Sequence, residues 1–442
     1  MITYERHTLA NGLTVLAHRE KFSRMAAVNM LYRVGARDED PHRTGFAHLF
    51  EHLMFRGTRQ VPDFDVPVQM ASGENNAFTN NDYTDYYITL PVDNTETALW
   101  LESDRMTGLA IDRKNLEAEK KVVIEEYKQR YLNQPYGDLW LLLRALAFKE
   151  HPYRWATIGL TPEHIAGATL REVREFYRRF YNPSNAILSV AADLDPERVF
   201  ALAEKWFGPL PDVSYPKPEI PQEPLQTVSR RLEVVRDVPA TVVTVAFRMC
   251  GRTGKDFYPL DMISDLLAGG TSSRLYRRLV QEGRLFASAN AYVTGDVDPG
   301  LFVVTGNLLP GVEPEAAEAA LWEQLESLKR EPVGAAWAGK VKNKFEANTT
   351  FGEINVMNKA MNLGFYEMLG DLPLINREVE IYRSLTPERL MECAAEVFVP
   401  ECSSTLVYRA SGDGVPADAK TKRERKEKRI RRGPDVRCLL RS

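Results

Sequence analysis

An internal repeat constrains the fold of this chain more than any other feature of the sequence. Residues 48–58 read His-Leu-Phe-Glu-His-Leu-Met-Phe-Arg-Gly-Thr and align without a gap on residues 261–271, which read Asp-Met-Ile-Ser-Asp-Leu-Leu-Ala-Gly-Gly-Thr. The sequence Leu-Thr-Pro-Glu also occurs twice, starting at Leu160 and at Leu385. In both copies a threonine precedes a proline, which is the pattern of a helix start. A chain of 442 residues is long enough for two domains, so we predict two domains of the same fold.

A proline-rich segment separates the two copies. Six prolines fall between positions 209 and 224, and each one fixes φ and removes a backbone donor. Such a segment is typical of an extended linker. The predicted organisation is an N-terminal domain over residues 1–208, a linker over 209–228, a C-terminal homologous domain over 229–412 and a tail over 413–442.

The tail differs in composition from both domains. Residues 420–432 include nine basic and two acidic side chains, and Ile430 is the only apolar residue among them. This segment cannot bury a core, so we predict a solvated, disordered tail. Nucleic-acid binding is the alternative interpretation, and it depends on the tail alone. The whole chain has a net charge of −4, which favours neither a nucleic-acid nor a membrane partner.

Each half mixes strands and helices, which predicts the α+β class. In the first half, Asn11-Gly12 indicates a hairpin turn between two strands, and residues 25–34 read as a strand that leads towards the first repeat. A helix is predicted from Pro162 to about Tyr181, followed by a strand over 186–191. The second half repeats this last pair of elements. We therefore expect two homologous α/β sandwich-like domains, each with a mixed or antiparallel sheet and helices.

The first copy of the repeat carries the pattern His-x-x-Glu-His at His48, Glu51 and His52. Residues four apart on a helix lie on one face, so both imidazoles can reach a single metal ion. Glu51 then lies beside the ion without having to be a ligand. Bound zinc lowers the pKa of water to near neutrality, and a neighbouring carboxylate can take the proton. The alternative is a surface helix that carries two solvated histidines.

A catalytic zinc site needs a third protein ligand and an open position. The stretch over residues 115–127 has the pattern of a helix and contains Glu119 and Glu126, which are seven residues apart and therefore share a face. Glu125 is the immediate neighbour of Glu126. Spacing alone does not choose the third ligand among these three glutamates.

Taken together, these residues resemble the M16, or pitrilysin-like, family of metallopeptidases, in which His-x-x-Glu-His is followed on a later helix by a Glu-x6-Glu pair. The resemblance implies that His48, His52 and Glu126 bind one zinc ion per chain. It further implies that Glu51 is the catalytic base and that Glu119, also expected to be catalytic, supports the site from behind the ligands. Manganese or cobalt could take the place of zinc in such a ligand set.

A third motif extends the resemblance. Residues 73–79 read Gly-Glu-Asn-Asn-Ala-Phe-Thr and are followed by Thr84-Asp-Tyr-Tyr. In the family, the Asn-Ala-x-Thr stretch is an edge strand that pairs with extended substrate. The resemblance therefore implies that Asn76, Ala77 and Phe78 bind the main chain of a peptide. The resemblance to the family covers nearly the whole chain. Three motifs in the same order are more specific evidence than any one of them.

The second copy of the repeat lacks the metal-binding pattern. Asp261, Ser264 and Asp265 stand where the first copy has its two histidines and the intervening glutamate. All seven histidines lie at or before His164, so the second domain has no imidazole with which to build the same site. The family has this architecture too, with an active N-terminal and a degenerate C-terminal domain that close on substrate like a clamshell.

One departure from the family concerns an Arg-x6-Tyr pair that active members place after a Ser-Arg-Leu element. The element is present at Ser273-Arg274-Leu275, but the pair then falls on Val280 and Ala287. In the family the pair holds substrate carbonyls, as an oxyanion donor does. The resemblance thus implies the zinc-bearing subunit of a heterodimer, with a homologous mate that carries the pair. The alternative is that Arg284 or another group substitutes.

Two classes of function are open at this point. The first is a zinc metalloendopeptidase that hydrolyses extended peptides or unfolded segments, and the second is a non-catalytic structural or chaperone-like member of the family. The complete set of His48, Glu51, His52 and Glu126 favours the first, because a scaffold has no use for it.

The expected location is cytoplasmic, because no basic segment followed by an apolar run opens the sequence. A periplasmic location stays open if a leader has been removed. The four cysteines show no metal-ligand spacing and are expected to be free thiols.

Overall fold

The computed structural model describes residues 1–211 and 215–412. The predicted tail over 413–442, with its predicted disorder, and residues 212–214 of the predicted linker lie outside the described residues. The strands are β1 (Glu5–Thr8), β2 (Thr14–Arg19), β3 (Met25–Tyr32), β4 (Glu74–Thr79), β5 (Thr84–Pro91), β6 (Ala186–Ala192), β7 (Arg230–Arg236), β8 (Val242–Arg248), β9 (Phe286–Val293), β10 (Leu301–Leu308) and β11 (Ser403–Ala410).

Helices connect and cover these strands. They are α1 (Phe46–Leu53), α2 (Asp65–Met70), α3 (Thr95–Gly108), α4 (Arg113–Tyr127), α5 (Leu139–Ala147), α6 (Pro162–Ala166), α7 (Leu170–Phe180), α8 (Pro196–Phe207), α9 (Phe257–Ala268), α10 (Pro314–Arg330), α11 (Ala335–Gly352), α12 (Val356–Met368), α13 (Glu378–Ser384) and α14 (Pro387–Val397). Two short π-helical segments, Lys128–Leu132 and Tyr276–Glu282, add to this set.

The chain packs as two compact units, each built from more than one segment. Unit 1 comprises the described residues of Met1–Tyr127, Trp155–Ile220 and Phe345–Glu380. Unit 2 comprises the described residues of Lys128–Arg154, Pro221–Lys344 and Ile381–Ser442. The predicted domain boundaries follow the sequence repeat and not this packing, and they stay a prediction.

The two sheets share one connection pattern. The sheet of unit 1 has the order β1-β2-β6-β3-β5-β4, and the sheet of unit 2 has the order β7-β11-β8-β10-β9. Five strands of each sheet share this pattern. The first of the five in chain order, β2 or β7, runs parallel to the last, β6 or β11, and all other neighbouring strands are antiparallel. The α+β class with two similar mixed sheets is therefore confirmed, and β1 is an addition to the first sheet.

The predicted hairpin at Asn11-Gly12 is confirmed. Strands β1 and β2 are antiparallel, with Thr8 opposite Thr14. Gly12 has a φ of +86°, and a Cβ there would lie 2.9 Å from that of Ser184. Only glycine fits this turn without strain.

The single helix predicted from Pro162 to about Tyr181 is wrong, because two helices, α6 and α7, occupy that stretch. Between them, Thr169 caps α7: its hydroxyl accepts the backbone N–H of Glu172 at 3.3 Å, and the Glu172 carboxylate accepts the backbone N–H of Thr169 at 2.8 Å. This reciprocal capping box starts a new helix at Leu170.

Helix α12 closes one face of the sheet in unit 1, where it packs across β3 and β6. Gly364 lies at the point of closest approach. A Cβ built there would lie 3.2 Å from Nδ2 of Asn29 and 3.3 Å from Oγ of Ser189, two buried side chains on those strands. The missing side chain therefore permits the close packing of helix and sheet.

None of the helices in the described residues combines the length and apolarity that crossing a membrane requires. The described cysteines, Cys250, Cys393 and Cys402, are free thiols as predicted. The cytoplasmic location stays a prediction.

Candidate metal centre

The N-terminus of α1 is held by a buried acidic side chain. Glu39 accepts the backbone N–H groups of Gly45 and Ala47, each at 2.8 Å. These N–H groups have no partner within the helix, and the positive end of the helix dipole favours an acidic side chain there. Gly45 itself has a φ of +91°, which lets the chain turn sharply into the helix. Glu39 thus fixes the start of α1, which begins two residues before His48.

One side of α1 packs into the core of unit 1. Leu49, Phe50 and Leu53 are buried, and the ring of Phe50 stacks on that of Phe176 with 5.0 Å between centroids. The opposite side carries the two histidines, whose ring centroids lie 4.9 Å apart. The apolar anchor therefore sets the direction in which both imidazoles point.

Helix α4 brings Glu126 to the two histidines. Its Oε2 atom lies 3.7 Å from Nε2 of His48 and 3.4 Å from Nε2 of His52, and one donor atom from each of the three residues lies within 4.8 Å of the others. Zinc binds nitrogen and carboxylate oxygen at about 2.0–2.1 Å, so tetrahedral ligands lie about 3.3 Å apart. The donor set and these separations suit one zinc ion.

The two other candidate glutamates lie elsewhere. Glu119 is not among the three converging donors; its Oε2 instead faces Nδ1 of His52 at 3.2 Å. Glu125 is exposed and is not among the converging donors either. The geometry thus distinguishes the three glutamates that the sequence spacing leaves equivalent.

Behind Glu119 lies a cation. The guanidinium of Arg56 donates to Oε1 of Glu119 through two of its nitrogens. Burial by itself raises the pKa of Glu119, but the hydrogen bonds from His52 and Arg56 outweigh it, and the net shift is downwards. Glu119 is therefore a carboxylate that links the ring of one histidine to a guanidinium.

The carboxylates around His52 make this region attractive to positive charge. Burial disfavours the imidazolium, yet Glu119 and Glu126 outweigh it and raise the pKa of His52 to about 9. The negative potential that holds a proton on this ring also favours a bound metal cation.

Glu51 lies on the same helix, half-buried, and is not among the converging donors. Burial raises its pKa, with Glu126 adding to the shift, while Thr79 and the neighbouring His52 partly offset it. A carboxyl group whose pKa is raised towards neutrality suits a proton-transfer role. Thr79 is the last residue of β4, so this edge strand ends beside Glu51.

The strand predicted to bind peptide is at the edge of its sheet. Among the described strands, β4 pairs only with β5, and Asn76, Ala77 and Phe78 lie opposite Tyr87, Tyr86 and Asp85. It packs beside α1. Its free edge offers unpaired backbone groups for a further strand.

In unit 2, the positions at which the family has its Arg and Tyr carry side chains that cannot donate. Val280 lies in the π-helical segment Tyr276–Glu282, and Ala287 is exposed at a bulge between β9 and β10. Tyr292, also on β9, packs its ring on Trp140 with 5.9 Å between centroids.

The sequence alone did not place Arg56 or Glu39 in the site, and it placed Thr79 in the strand motif but not beside Glu51. Arg56 stands four residues after His52, so a helix continued to Arg56 would have placed both on one side, although α1 ends at Leu53. Thr79 belongs to the Asn-Ala-x-Thr motif, but nothing local indicated that it lies beside Glu51. Glu39 carried no comparable signal, because a loop brings it to α1.

A helix with two histidines and a converging glutamate, next to a free edge strand, defines a metallopeptidase-like site. Comparisons with known proteins agree. The model of Insulinase (Peptidase family M16) matches residues 14–157, and that of the Peptidase M16 inactive domain matches residues 167–344. The chain belongs to peptidase family M16, which confirms the family predicted above.

Individual relatives match over most of their length. Zinc protease PqqE of Helicobacter pylori is 32% identical over 410 residues, which cover 91% of this chain and 92% of that protein. Uncharacterized zinc protease SCO5738 of Streptomyces coelicolor is 25% identical, with 89% and 87% covered. The crystal structure of a protease from Helicobacter pylori has a TM-score of 0.87 and 30% identity, covering 92% of this chain and 100% of that one.

Proposed function

We propose that this chain is a zinc-dependent endopeptidase that hydrolyses extended peptides or unfolded segments. The observation that carries the proposal is the convergence of His48, His52 and Glu126, with donor separations of 3.4 and 3.7 Å around one point. Three protein ligands leave a fourth position open, as in catalytic and not structural zinc sites.

Each side chain has a role in this proposal. His48, His52 and Glu126 hold the metal, which when bound supplies Lewis acidity and lowers the pKa of water. Glu51 accepts a proton from the attacking water and later delivers it to the leaving amine. Glu119 accepts the Nδ1 proton of His52 and so keeps Nε2 of that ring available as a ligand atom.

Strand β4 positions the substrate in this proposal. A peptide that adds as a further strand beside Asn76, Ala77 and Phe78 bonds through its main chain, so extension is recognised more than sequence. Because β4 ends at Thr79, next to Glu51, such a peptide would be led towards the base. Folded proteins would be poor substrates, because their backbone groups are already paired.

The chain is further proposed to act as the zinc-bearing subunit of a heterodimer. Val280 and Ala287 supply neither a guanidinium nor a phenol, and two copies of this chain would both lack the pair. A homologous mate with an intact Arg-x6-Tyr pair would provide it. Removing a single oxyanion-type donor costs about 10²–10³ in rate, so the chain alone is expected to cleave slowly.

The test is a cleavage assay on an unstructured fluorogenic peptide, with and without a chelator, for the chain alone and with candidate mates. The expected result is slow, chelator-sensitive cleavage that a mate accelerates and that added zinc restores. Cleavage insensitive to the chelator would contradict the metallopeptidase proposal. Full activity of the purified single chain, unchanged by a mate, would contradict the heterodimer.

A non-catalytic structural role is the second candidate, and the observation that favours it is the replacement of both members of the Arg/Tyr pair. A structural protein gains nothing from a complete metal centre and is expected to purify without zinc. Metal content measured on protein purified without chelators therefore separates the two candidates.

A further inference from the structure

Unit 2 contains a cavity of about 170 Å³ that no part of the peptidase proposal uses. Leu266 and Leu267 at the end of α9 form one wall, and Leu328 of α10 and Val333 continue it. The ring of Trp337, in the first turn of α11, lines the cavity as well. The floor is therefore apolar, and all of it belongs to one unit of the chain.

Three arginines line the same cavity: Arg274, Arg277 and Arg278. Arg278 pairs with Glu282 at 2.8 Å, and Arg274 donates to the hydroxyl of Ser327. Within residues 1–211 and 215–412, neither Arg274 nor Arg277 forms an ion pair with a carboxylate. Two of the three cations thus lack a carboxylate partner of their own.

The positive charge is not compensated inside the cavity. Burial lowers the pKa of Arg274, and the nearby charge of Arg278 lowers it further, although Glu331 acts in the opposite direction. No acidic residue is among the described residues that line the cavity. The ammonium of Lys340 adds another positive charge, 5.3 Å from the centroid of the Trp337 ring. An anionic group would be stabilised here, and a cationic one would not.

The size of the cavity limits the apolar part of a ligand. A dry protein cavity of about 150 Å³ accepts benzene, so the present one holds a group of about six carbons. A ligand that fits both the positive charge and the small apolar volume of the cavity carries a carboxylate next to one leucine- or phenylalanine-sized group. A free amino acid matches poorly, because its ammonium would meet guanidinium groups without a counter-charge.

We propose that this cavity binds the C-terminal residue of a peptide that ends in an apolar side chain. The terminal carboxylate bonds to Arg277 and Arg274, and the side chain packs on Leu267 and Trp337. In a peptide the amino group of this last residue is an uncharged amide, which removes the unfavourable ammonium. The proposal does not depend on peptide hydrolysis, because it concerns binding at a separate place in the fold.

The smallest probe with this chemistry is N-acetyl-leucine, and its binding to the full chain can be followed by ligand-observed NMR. Binding is expected in the range of roughly 1 mM, since few atoms are involved. N-acetyl-leucine amide lacks the charge, and N-acetyl-glycine lacks the apolar group. Both are expected to bind at least about tenfold more weakly, the amide because a hydrogen bond to a charged group is lost.

Arg277→Glu is the informative variant, because Arg277 is exposed and its replacement should leave the fold intact. It is expected to abolish measurable binding of N-acetyl-leucine. Lys255→Glu makes the same change of charge at another exposed position of unit 2 and should leave binding unchanged. Gly334→Leu offers an independent test, because Gly334 lines the cavity and a Cβ there meets no atom within 4 Å. This variant is expected to weaken the binding of N-acetyl-leucine.

Two further measurements test whether a peptide is bound and whether it binds in this cavity. A four-residue peptide with a free C-terminal leucine, tested on the Glu51→Gln chain to prevent cleavage, should bind at least as tightly as the probe. Binding should also persist in Glu126→Gln, which separates the cavity from the metal centre. Equal binding of the amide, full competition by inorganic phosphate, no effect of Arg277→Glu, or failure of the peptide would each overturn the proposal.

Discussion

Oε2 of Glu119 lies 3.2 Å from Nδ1 of His52, while the other nitrogen of that ring lies 3.4 Å from Glu126. The imidazole is thus held from both sides by carboxylates on the same helix. Glu119 and Glu126 are two turns apart on α4, and the ring of His52 fits between their carboxylates. A carboxylate that accepts the outer N–H of a histidine fixes the tautomer in which the inner nitrogen can bind a metal.

The first prediction concerns Glu119→Gln. The amide keeps the size of the side chain but loses the negative charge that His52 and Arg56 share, so zinc affinity should fall about 10- to 100-fold. The measurement is competition with a chromophoric chelator. Glu117→Gln is the matched control, because Glu117 lies on the same helix, its side chain is 55% exposed and its one ion pair among the described residues is with Lys120. Equal affinities for the two variants would remove Glu119 from the site.

A second prediction couples Arg56 to Glu119. Arg56→Ala should weaken zinc binding several-fold, and it should add little in the Glu119→Gln background, because the guanidinium acts through that carboxylate. A double-mutant cycle on zinc affinity measures this coupling. Arg56→Lys should recover part of the loss, and Arg59→Ala, an exposed neighbour, should have no effect. Additive losses would show that Arg56 acts independently of Glu119.

A third prediction separates the base from the ligand. Glu51→Gln should reduce turnover by about 10²–10⁴ and leave the zinc content equal to that of the unaltered chain. Glu126→Gln should lose both activity and metal affinity, because a ligand is replaced by a weaker one. Peptide cleavage and metal analysis on the same preparations give both readouts, with exposed Glu117→Gln as the control.

Two outcomes would change these role assignments. Loss of zinc in Glu51→Gln would make Glu51 a ligand. Full zinc affinity in Glu126→Gln would move the third ligand to Glu119 or Glu125.

Local periodicity explains why part of the site was predictable. Two histidines four apart must share a helix face, whereas only the resemblance to the family indicated that the strand ending in Asn-Ala-Phe-Thr lies at the edge of its sheet. The choice among Glu119, Glu125 and Glu126 was different, because it depends on how α4 is rotated against α1. That rotation is set by packing between the helices, and only the resemblance to the family indicated Glu126.

The helix break at Thr169 shows the same limit in the fold. Thr169 and Glu172 form a recognisable capping box, but the preceding Thr161-Pro162 start suggested one continuous helix. Residues 128–154 belong to unit 2 and residues 345–380 to unit 1, although the sequence repeat assigns each segment to the other half. No local sequence pattern predicts this assignment, because only tertiary contacts decide where those helices pack. The role of Glu39 was unpredictable for the same reason, since its hydrogen bonds to α1 depend on the path of a loop.

A fourth prediction compares two helical glycines. Gly339→Ala should stabilise the protein by about 0.5–1 kcal/mol through helix propensity, because its Cβ would meet nothing within 4 Å. Gly364→Ala should instead destabilise by about 1 kcal/mol or more, because its Cβ would lie 3.2 and 3.3 Å from polar atoms of buried strands. Denaturant midpoints of the two variants measure the difference. Stabilisation by both would mean that α12 can move away from the sheet.

The last prediction concerns Glu39 and pH. Burial raises the pKa of Glu39 from 4.5 to about 8, although the N–H groups of Ala47 and Gly45 act against this shift. A raised pKa means that the folded state holds a proton which the unfolded state releases. The contribution of protonated Glu39 to the free energy of unfolding is therefore complete below pH 4.5 and is lost as pH rises through about 8.

Glu39→Gln should therefore remove one component of the pH dependence. Between these two pKa values the unaltered chain should lose about 1.4 kcal/mol per pH unit relative to the variant, and the difference should level off at higher pH. Melting temperatures of both proteins from about pH 5 to pH 9 test this expectation. Glu163→Gln, at an exposed position in the first turn of α6, should follow the unaltered chain throughout. If the melting curves of Glu39→Gln and the unaltered chain shift in parallel, the carboxyl group is already ionised in the folded protein, held so by its helix.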